Sequence, residues 1–168
     1  MNADAPLVLI IMGSDSDLSV MQEAAEILKK FTVPYEMRIS SAHRSPTRTS
    51  AIASDAADRG VKIIIAGAGM AAHLAGVVAS KTILPVIGVP MPGGALNGVD
   101  ALYSTVQMPA GIPVATMAIG KAGAKNAALF AVHILALSEP ALSDALKAYR
   151  VEMDSMLENI DLELQARQ

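Results

Sequence analysis

The sequence of 168 residues contains no cysteine. This absence excludes a disulfide framework, a thiolate nucleophile and a cysteine-ligated zinc or iron–sulfur centre. Aromatic residues make up only 3% of the chain and tryptophan is missing, so stacking platforms for bases or flavins are scarce. Lysine and arginine number 13 against 16 acidic residues and form no basic cluster. We therefore expect no nucleic-acid binding of the kind that a basic face supports.

Long hydrophobic runs are also missing. No segment holds the roughly 18 uninterrupted apolar residues of a transmembrane helix, so we expect no membrane association. The first six residues, MNADAP, lack the positive charge of a signal peptide, and we expect a cytoplasmic protein. The length fits one domain over residues 1–168. Because 52% of the residues are hydrophobic and 17% are charged, disorder is excluded, and the apolar excess indicates subunit association.

Strand-like and helix-like segments alternate along the chain. Short apolar runs, typical of strands buried on both faces, occupy residues 7–12, 61–66, 84–89 and 114–119. Residues 35–40 alternate between apolar and polar side chains, which is typical of an edge strand. Five helical segments lie between or after the strands. The first begins near residue 17, the next three cover residues 46–60, 67–81 and 100–106, and the fifth follows residues 120–123 and ends near residue 137. The pattern predicts a three-layer α/β/α sandwich over residues 7–137, with a parallel, flavodoxin-like sheet in the order 2-1-3-4-5.

A last helix is predicted after Pro140. Its apolar residues recur at spacings of three and four: Leu142, Leu146, Tyr149, Met153, Met156, Ile160 and Leu164. They form an apolar seam of about six turns at 3.6 residues per turn. A helix over residues 140–165 is longer than is needed to cover such a sheet, so we expect its far end to pack against another subunit.

Three glycine-rich or polar segments follow the first three predicted strands. They are residues 13–17 (GSDSD), 41–44 (SAHR) and 67–73 (GAGMAAH). In open parallel sheets, ligands bind beyond the carboxyl ends of the strands, near the topological switch point. Because the order 2-1-3-4-5 makes these strands neighbours, we expect a ligand site where the three segments converge.

The first two segments carry groups that suit a phosphorylated sugar. Ser14 and Ser16 lie at a predicted helix N-terminus, where hydroxyls and free amides suit a phosphate; plain helix capping is the alternative. The carboxylate of Asp17 repels a phosphate and suits sugar hydroxyls. Arg44 has a guanidinium suited to bidentate phosphate binding, and a surface salt bridge explains its presence equally well.

The three histidines differ in their predicted environments. His43 lies between a strand end and a capped helix. A role in proton transfer near neutral pH and a structural hydrogen bond explain a histidine at this position equally well. His73 falls in the first turns of an apolar helix, which favours a buried histidine over a catalyst. His133 lies in mid-helix among apolar residues, and we give it no role. Without clustered carboxylates, these histidines predict no metal site.

Two glycine-containing motifs fall short of a nucleotide site. Residues 67–72 (GAGMAA) follow a strand as a dinucleotide fingerprint does, but no acidic residue ends the next strand, at residues 88–90 (GVP). Gly120–Lys121 is not a P-loop, because Ala115 and Ala122 replace the first glycine and the Ser or Thr. The loop Pro92–Gly98 is either a lid or a turn-rich connection.

Several motifs occur in order along the chain: GSDSD at 13–17, SAHR at 41–44, GAGMAAHL at 67–74, ALNG at 95–98 and STVQMP at 104–109. Together they resemble the PurE family, from about residue 7 to residue 137. The resemblance implies its class I activity, N5-carboxyaminoimidazole ribonucleotide (N5-CAIR) mutase, which moves a carboxyl group from the exocyclic nitrogen to ring carbon 4 in purine biosynthesis. Met70 and Ala75 stand where Gly and Pro are common in the family, and residues 92–94 (PGG) differ from the usual loop.

The resemblance also implies roles for individual residues. His43 is the proton shuttle, Asp17 takes the ribose hydroxyls, and His73 has a secondary role. The phosphate is surrounded by Ser14, Ser16, Ser41 and Arg44. The substrate-binding set also contains Gly69, Met70 and Leu74. Released carbon dioxide is held by a pocket of Gly67, Ala68, Gly69 and Ala71.

No cofactor or metal is needed in the family reaction, and the family fold implies a homo-octamer with helix 140–165 packed between subunits. Two alternative functions stay open. One is direct carboxylation of aminoimidazole ribonucleotide (AIR) with free carbon dioxide, which differs from the mutase in needing bicarbonate. The other is a non-catalytic flavodoxin-like module that binds a nucleotide phosphate, which does not need His43.

Overall fold

The computed structural model describes residues 5–167, whose centre is a five-stranded parallel sheet. The strands are β1 (Val8–Met12), β2 (Tyr35–Ile39), β3 (Ile63–Ala68), β4 (Val86–Pro90) and β5 (Ala115–Thr116). They lie in the order β2-β1-β3-β4-β5, so the predicted flavodoxin-like order is confirmed. The helices are α1 (Leu18–Lys30), α2 (Pro46–Ser54), α3 (Leu74–Ala79), α4 (Val99–Val106), α5 (Lys121–Leu135) and α6 (Pro140–Gln165), and a short 3₁₀ helix covers Asp15–Asp17.

The burial of each strand follows its sequence pattern. Every residue of β1 and β4 is buried, as are the first five residues of β3. Continuous apolar sequences therefore fill positions covered on both faces of the sheet. The alternating strand β2 is half-buried or exposed throughout and occupies one edge. The predicted edge position of the second strand is confirmed.

The register of the parallel strands brings their carboxyl ends to one level. Met12 of β1 pairs with Ile39 of β2 on one side and with Gly67 of β3 on the other. Gly67 in turn pairs with Val89 of β4. Since four strands end within a residue or two of each other, the segments that follow them emerge at the same edge of the sheet.

Several predicted boundaries are wrong. Strand β3 runs on to Ala68, so Gly67 and Ala68 belong to the sheet, and α3 begins at Leu74 rather than at residue 67. Gly67 and Ala68 pair with Val89 and Pro90 of β4. The missing side chain of Gly67 leaves room for two methionines, since a Cβ there would lie 2.6 Å from Met21 Sδ. Helix α2 ends at Ser54, six residues early, and turns lead to Gly60, whose φ of +98° favours glycine.

Strand β5 is shorter than predicted, with two residues in place of six. It lies at the second edge of the sheet and pairs only with β4, through Ala115 and Thr116. Beyond it, Met117 and Gly120 still donate backbone hydrogen bonds to Gly88 and Pro90, both at 2.9 Å. Residues 117–120 thus run beside β4 and contact it through single backbone hydrogen bonds, without the regular pairing of a β-strand.

The chain divides into two compact units, one up to Ala131 and one from Val132. The prediction of a single domain over residues 1–168 stays a prediction. The second unit contains α6, a helix of 26 residues with Pro140 in its first turn. Much of its apolar surface is exposed, at Val151, Met153, Met156, Leu157, Ile160, Leu162 and Leu164. Between residues 5 and 167, no helix is long and apolar enough to span a membrane.

Candidate active site

A cleft of about 640 Å³ opens at the carboxyl ends of β1 to β4. Its walls come from the turn after β1, the turn after β2, the segment between β3 and α3, and the segment after β4. All ten residues singled out for catalysis or substrate binding line it: Ser14, Ser16, Asp17, Ser41, His43, Arg44, Gly69, Met70, His73 and Leu74. The convergence predicted from strand order is therefore present, and the role of each residue stays a prediction.

The turn after β1 is a capping box. Asp17 Oδ2 accepts a hydrogen bond from the backbone N–H of Ser14 at 3.1 Å, and Ser14 Oγ accepts one from Ser16 N at 3.4 Å. The Ser14 hydroxyl also donates to Asp15 Oδ1 at 2.9 Å. The capping explanation for Ser14 is thus correct. It does not compete with ligand binding, because Ser14 and Ser16 also face the cleft.

The two aspartates of this turn have opposite electrostatic environments. Burial raises the pKa of Asp17, an effect that the Ser14 backbone N–H partly opposes. The pKa of the exposed Asp15 is lowered by the Ser14 hydroxyl and the Ser16 backbone N–H. Asp17 therefore presents a partly desolvated carboxylate to the cleft, an acceptor that gains from hydroxyl donors.

Two sets of hydrogen bonds hold the turn after β2, one to helix α2 and one within the turn itself. Ser40 and Thr49 are buried, and their hydroxyls form a 2.8 Å hydrogen bond that ties the end of β2 to α2. Within the turn, Ser41 Oγ accepts from the backbone N–H of Arg44 at 3.2 Å, and the Ser41 carbonyl accepts from Ser45 N at 2.9 Å. This network fixes the backbone that carries His43.

Arg44 joins this turn to the first one. Its Nη2 donates to the carbonyl oxygen of Gly13 at 3.2 Å. Among residues 5–167 no carboxylate lies within 4.0 Å of the guanidinium, although the charge of Arg44 contributes to lowering the pKa of Asp15. A guanidinium anchored to a carbonyl keeps its positive charge at the cleft, where an anion can bind.

His73 does not lie where the sequence predicted it. It is exposed rather than buried, and it forms the N-cap position of α3 instead of lying within the helix. The physical reason is the extension of β3, which moves the start of α3 to Leu74 and leaves His73 at the cleft. His73 Nδ1 lies 2.5 Å from His43 Nε2, with the two rings edge to face at a centroid distance of 4.6 Å.

The predicted carbon dioxide pocket needs one correction. Gly67 lies inside the sheet and does not line the cleft, whereas Ala68, Gly69 and Ala71 do. These residues form a small-residue wall next to Met70, whose φ of +55° is uncommon for a non-glycine residue. A wall without long side chains leaves space for a small uncharged molecule.

Sequence reasoning missed one wall of the cleft, although it considered residues 92–98 as a lid. Met91, Pro92, Gly93 and Gly94 all line the cleft, and Met91 N is hydrogen-bonded to the Ala68 carbonyl at 2.9 Å. The signal that could have identified Met91 is its position directly after β4, at the edge where the other three segments emerge. Within residues 5–167 no three His, Asp or Glu side chains are grouped so as to hold a metal ion.

Comparison with known proteins identifies close relatives over nearly the whole chain. The family model described as AIR carboxylase matches residues 7–156. An N5-carboxyaminoimidazole ribonucleotide mutase of Pyrococcus horikoshii is 57% identical over 158 residues, which cover 94% of this chain and 88% of the relative.

Two further matches bear on activity and fold. A phosphoribosylaminoimidazole carboxylase of Schizosaccharomyces pombe is 56% identical over 155 residues, which cover 92% of this chain and only 27% of that protein. The crystal structure of Treponema denticola PurE superposes with a TM-score of 0.84 at 33% identity, covering 95% of this chain and 98% of that one.

Proposed function

The chain belongs to the AIR carboxylase family, the PurE family that its motifs resemble, and from this premise we propose that it is an N5-CAIR mutase of purine biosynthesis. The reaction converts N5-CAIR into 4-carboxy-5-aminoimidazole ribonucleotide. The observation that carries the proposal is the convergence of Ser14, Asp17, Arg44 and His43 on one cleft at the switch point of the sheet. These side chains supply donors for a phosphate, an acceptor for a sugar and a group that exchanges protons.

The ribonucleotide is held at its phosphate and its ribose. Arg44 offers charge-assisted donors for the phosphate, and the hydroxyls of Ser14, Ser16 and Ser41 line the same cleft. Asp17 accepts from the ribose hydroxyls, which add hydrogen-bond donors to a carboxylate that burial has partly desolvated.

The carboxyl group moves in two steps. In the first, the bond between the exocyclic nitrogen and the carboxyl carbon breaks, carbon dioxide leaves, and the nitrogen takes a proton from His43. In the second, electrons of the ring form a bond from carbon 4 to carbon dioxide, and His43 removes the proton from carbon 4 to restore aromaticity. Substrate and product are isomers and the proton returns to His43, so the scheme uses no oxidant or reductant.

The protein must keep carbon dioxide beside the ring between the two steps. Holding it there converts a bimolecular recapture into an effectively unimolecular one. We assign this task to the wall of Ala68, Gly69 and Ala71, with Met70 and Leu74 beside it. The backbone of this wall approaches the ligand closely because its side chains are no larger than a methyl group.

We further propose a cytoplasmic homo-octamer, as the family resemblance implies. The feature of this chain that supports self-association is the exposed apolar surface of α6 from Val151 to Leu164. Met153, Met156, Ile160 and Leu164 recur at spacings of three and four and therefore share one face of the helix. An exposed apolar face marks an interaction site, because leaving it in water costs free energy. The second unit, with α6, then provides the contacts between subunits.

The carboxylase reaction is the second candidate, since one relative with 56% identity carries that name. An absorbance assay with each isomer distinguishes the two. Purified protein should interconvert N5-CAIR and its 4-carboxy isomer without bicarbonate and without release of labelled carbon dioxide to solution. Carboxylation of AIR that depends on bicarbonate, with no reaction of N5-CAIR, would overturn the proposal. Ribonucleotide binding without turnover of either substrate would indicate a non-catalytic binding module.

A further inference from the structure

We infer that His73 is a positioning residue for His43: it accepts a hydrogen bond from His43 Nε2 and thereby fixes the tautomer of His43 and the orientation of its ring. The inference rests on the proposed function, in which His43 transfers the proton. The 2.5 Å contact between His43 Nε2 and His73 Nδ1 is the observation that carries it.

Both side chains are exposed, so packing locks neither ring. His73 is the N-cap residue of α3, where its backbone N–H donates to Ala71 O at 2.8 Å and its carbonyl accepts from Val77 N at 2.9 Å. The backbone of His43 is held by the hydrogen bonds of the turn after β2. Since both backbones are anchored and both rings are exposed, the hydrogen bond between the rings is the contact that orients them.

The chemistry of imidazole determines the direction of the hydrogen bond. A gap of 2.5 Å between two nitrogens has room for one hydrogen. In the acid form that the first step requires, His43 carries hydrogen on both nitrogens and can only donate. Its partner, His73 Nδ1, must then present a lone pair. While the contact persists, the two facing nitrogens therefore share one hydrogen, and His43 is its donor.

The same contact selects the nitrogen of His43 that exchanges protons. With Nε2–H donated to His73, the proton given to the departing nitrogen comes from Nδ1. After that transfer His43 is the neutral Nε2–H tautomer, and its free Nδ1 lone pair takes the proton from carbon 4. The Nδ1 atom of His43 therefore serves both steps without rotation of the ring. The hydrogen bond to His73 holds the ring in this orientation, which the exposed turn by itself would not do.

Two substitutions of His73 separate positioning from mere packing. His73→Asn keeps a short polar group near the place of Nδ1, whereas His73→Ala removes it. We expect His73→Ala to lower kcat about 10- to 100-fold, the range for small misplacements of a catalytic group, with KM changed less than three-fold. His73→Asn should recover most of that loss. A kcat within two-fold of wild type in His73→Ala, or no recovery in His73→Asn, would overturn the inference.

A spectroscopic measurement tests the pair without relying on turnover. Full-length protein labelled with ¹⁵N in the imidazole rings should show His43 as the Nε2–H tautomer, with the signal assigned by its loss in His43→Asn. In His73→Ala this signal should change to a mixture of tautomers, with the thermal unfolding temperature recorded alongside. If the spectrum of the wild-type protein shows neutral His43 as the Nδ1–H tautomer, the inference is contradicted, even where the mutase assay succeeds. Conversely, the expected tautomer together with an inactive wild-type protein would count against the proposed function alone.

Discussion

The guanidinium of Arg44 donates a hydrogen bond to the carbonyl oxygen of Gly13 at 3.2 Å and so joins the turn after β2 to the turn after β1. The two residues are 31 positions apart in the chain, and both line the cleft. Arg44 therefore braces two walls of the cleft, and in the proposed function it also binds the phosphate of the ribonucleotide. The first prediction separates these two tasks.

Replacing Arg44 with alanine should weaken the ribonucleotide more than the riboside. We expect about a 10- to 100-fold loss in affinity for the ribonucleotide, the range for a charge-assisted hydrogen bond, and a much smaller loss for the riboside, which lacks the phosphate. Isothermal titration with both ligands measures the difference. Arg48→Ala is the matched control, because Arg48 is exposed on α2 and does not line the cleft. Equal losses for both ligands would exclude a phosphate role for Arg44.

Replacing His43 with asparagine should preserve the fold and ligand binding and remove turnover. A positioned acid–base group contributes about 10²- to 10⁴-fold to rate, so kcat should fall by at least about 100-fold. Binding by titration and the rate by absorbance are measured on the same preparation. His133→Asn, at an exposed histidine outside the cleft, should keep the wild-type rate. Near-wild-type turnover in His43→Asn would remove His43 from the mechanism.

The pKa of Asp17 predicts a specific dependence of stability on pH. Burial raises this pKa, so between the ordinary and the raised value the folded protein binds more protons than the unfolded chain. The free energy of unfolding therefore falls as pH rises through that window. Asp17→Asn keeps an acceptor for the Ser14 N–H but has no charge to desolvate. Its stability relative to wild type should increase as pH rises, while its affinity for the ribonucleotide falls about 10- to 100-fold.

Asp15→Asn is the control with the opposite sign. The pKa of Asp15 is lowered by the Ser14 hydroxyl and the Ser16 N–H, so its ionised form stabilises the fold, and that contribution is lost as pH falls through the lowered pKa. Urea unfolding at fixed protein concentration between pH 3 and pH 7 compares both variants with wild type. An Asp17→Asn variant that becomes relatively less stable as pH rises would contradict the assignment of burial as the dominant cause.

The exposed apolar surface of α6 predicts an effect on assembly. Leu157 and Ile160 are more than half exposed, and the double substitution Leu157→Asp with Ile160→Asp places two charges on that surface. Because a charge in an interface loses its hydration, we expect the molar mass from light scattering to fall below that of wild type. Truncation at Pro140 should have the same effect. Glu158→Gln, on the neighbouring polar position, should leave the mass unchanged, and an unchanged mass in the double variant would rule out α6 as an interface.

Much of the fold follows from local patterns in the sequence. The apolar runs of β1 and β4 predict strands covered on both faces, and the alternation in Tyr35–Ile39 predicts an edge. Strand order follows from these patterns together with the general handedness of parallel connections. The turn residues at the strand ends then predict which segments meet, because parallel strands end at the same edge.

Element boundaries were harder to predict where glycine and alanine dominate. Residues 67–72 (GAGMAA) have neither strand nor helix periodicity, and the sequence interpretation assigned Gly67 and Ala68 to a helix. In the structure Met21 and Met91 pack over Gly67, and the strand continues beneath them. Contacts from two distant segments determine this boundary, and no local pattern reports them.

The sequence by itself determined the sheet, its order and the three segments that meet at its carboxyl edge, because side-chain periodicity and turn chemistry are local properties of the chain. The tertiary structure alone decided that His73 is exposed beside His43, that Arg44 reaches Gly13, and that Met91 to Gly94 complete the cleft. These relationships depend on strand register and on the residue at which each helix begins, and a shift of a few residues in either would separate the same side chains.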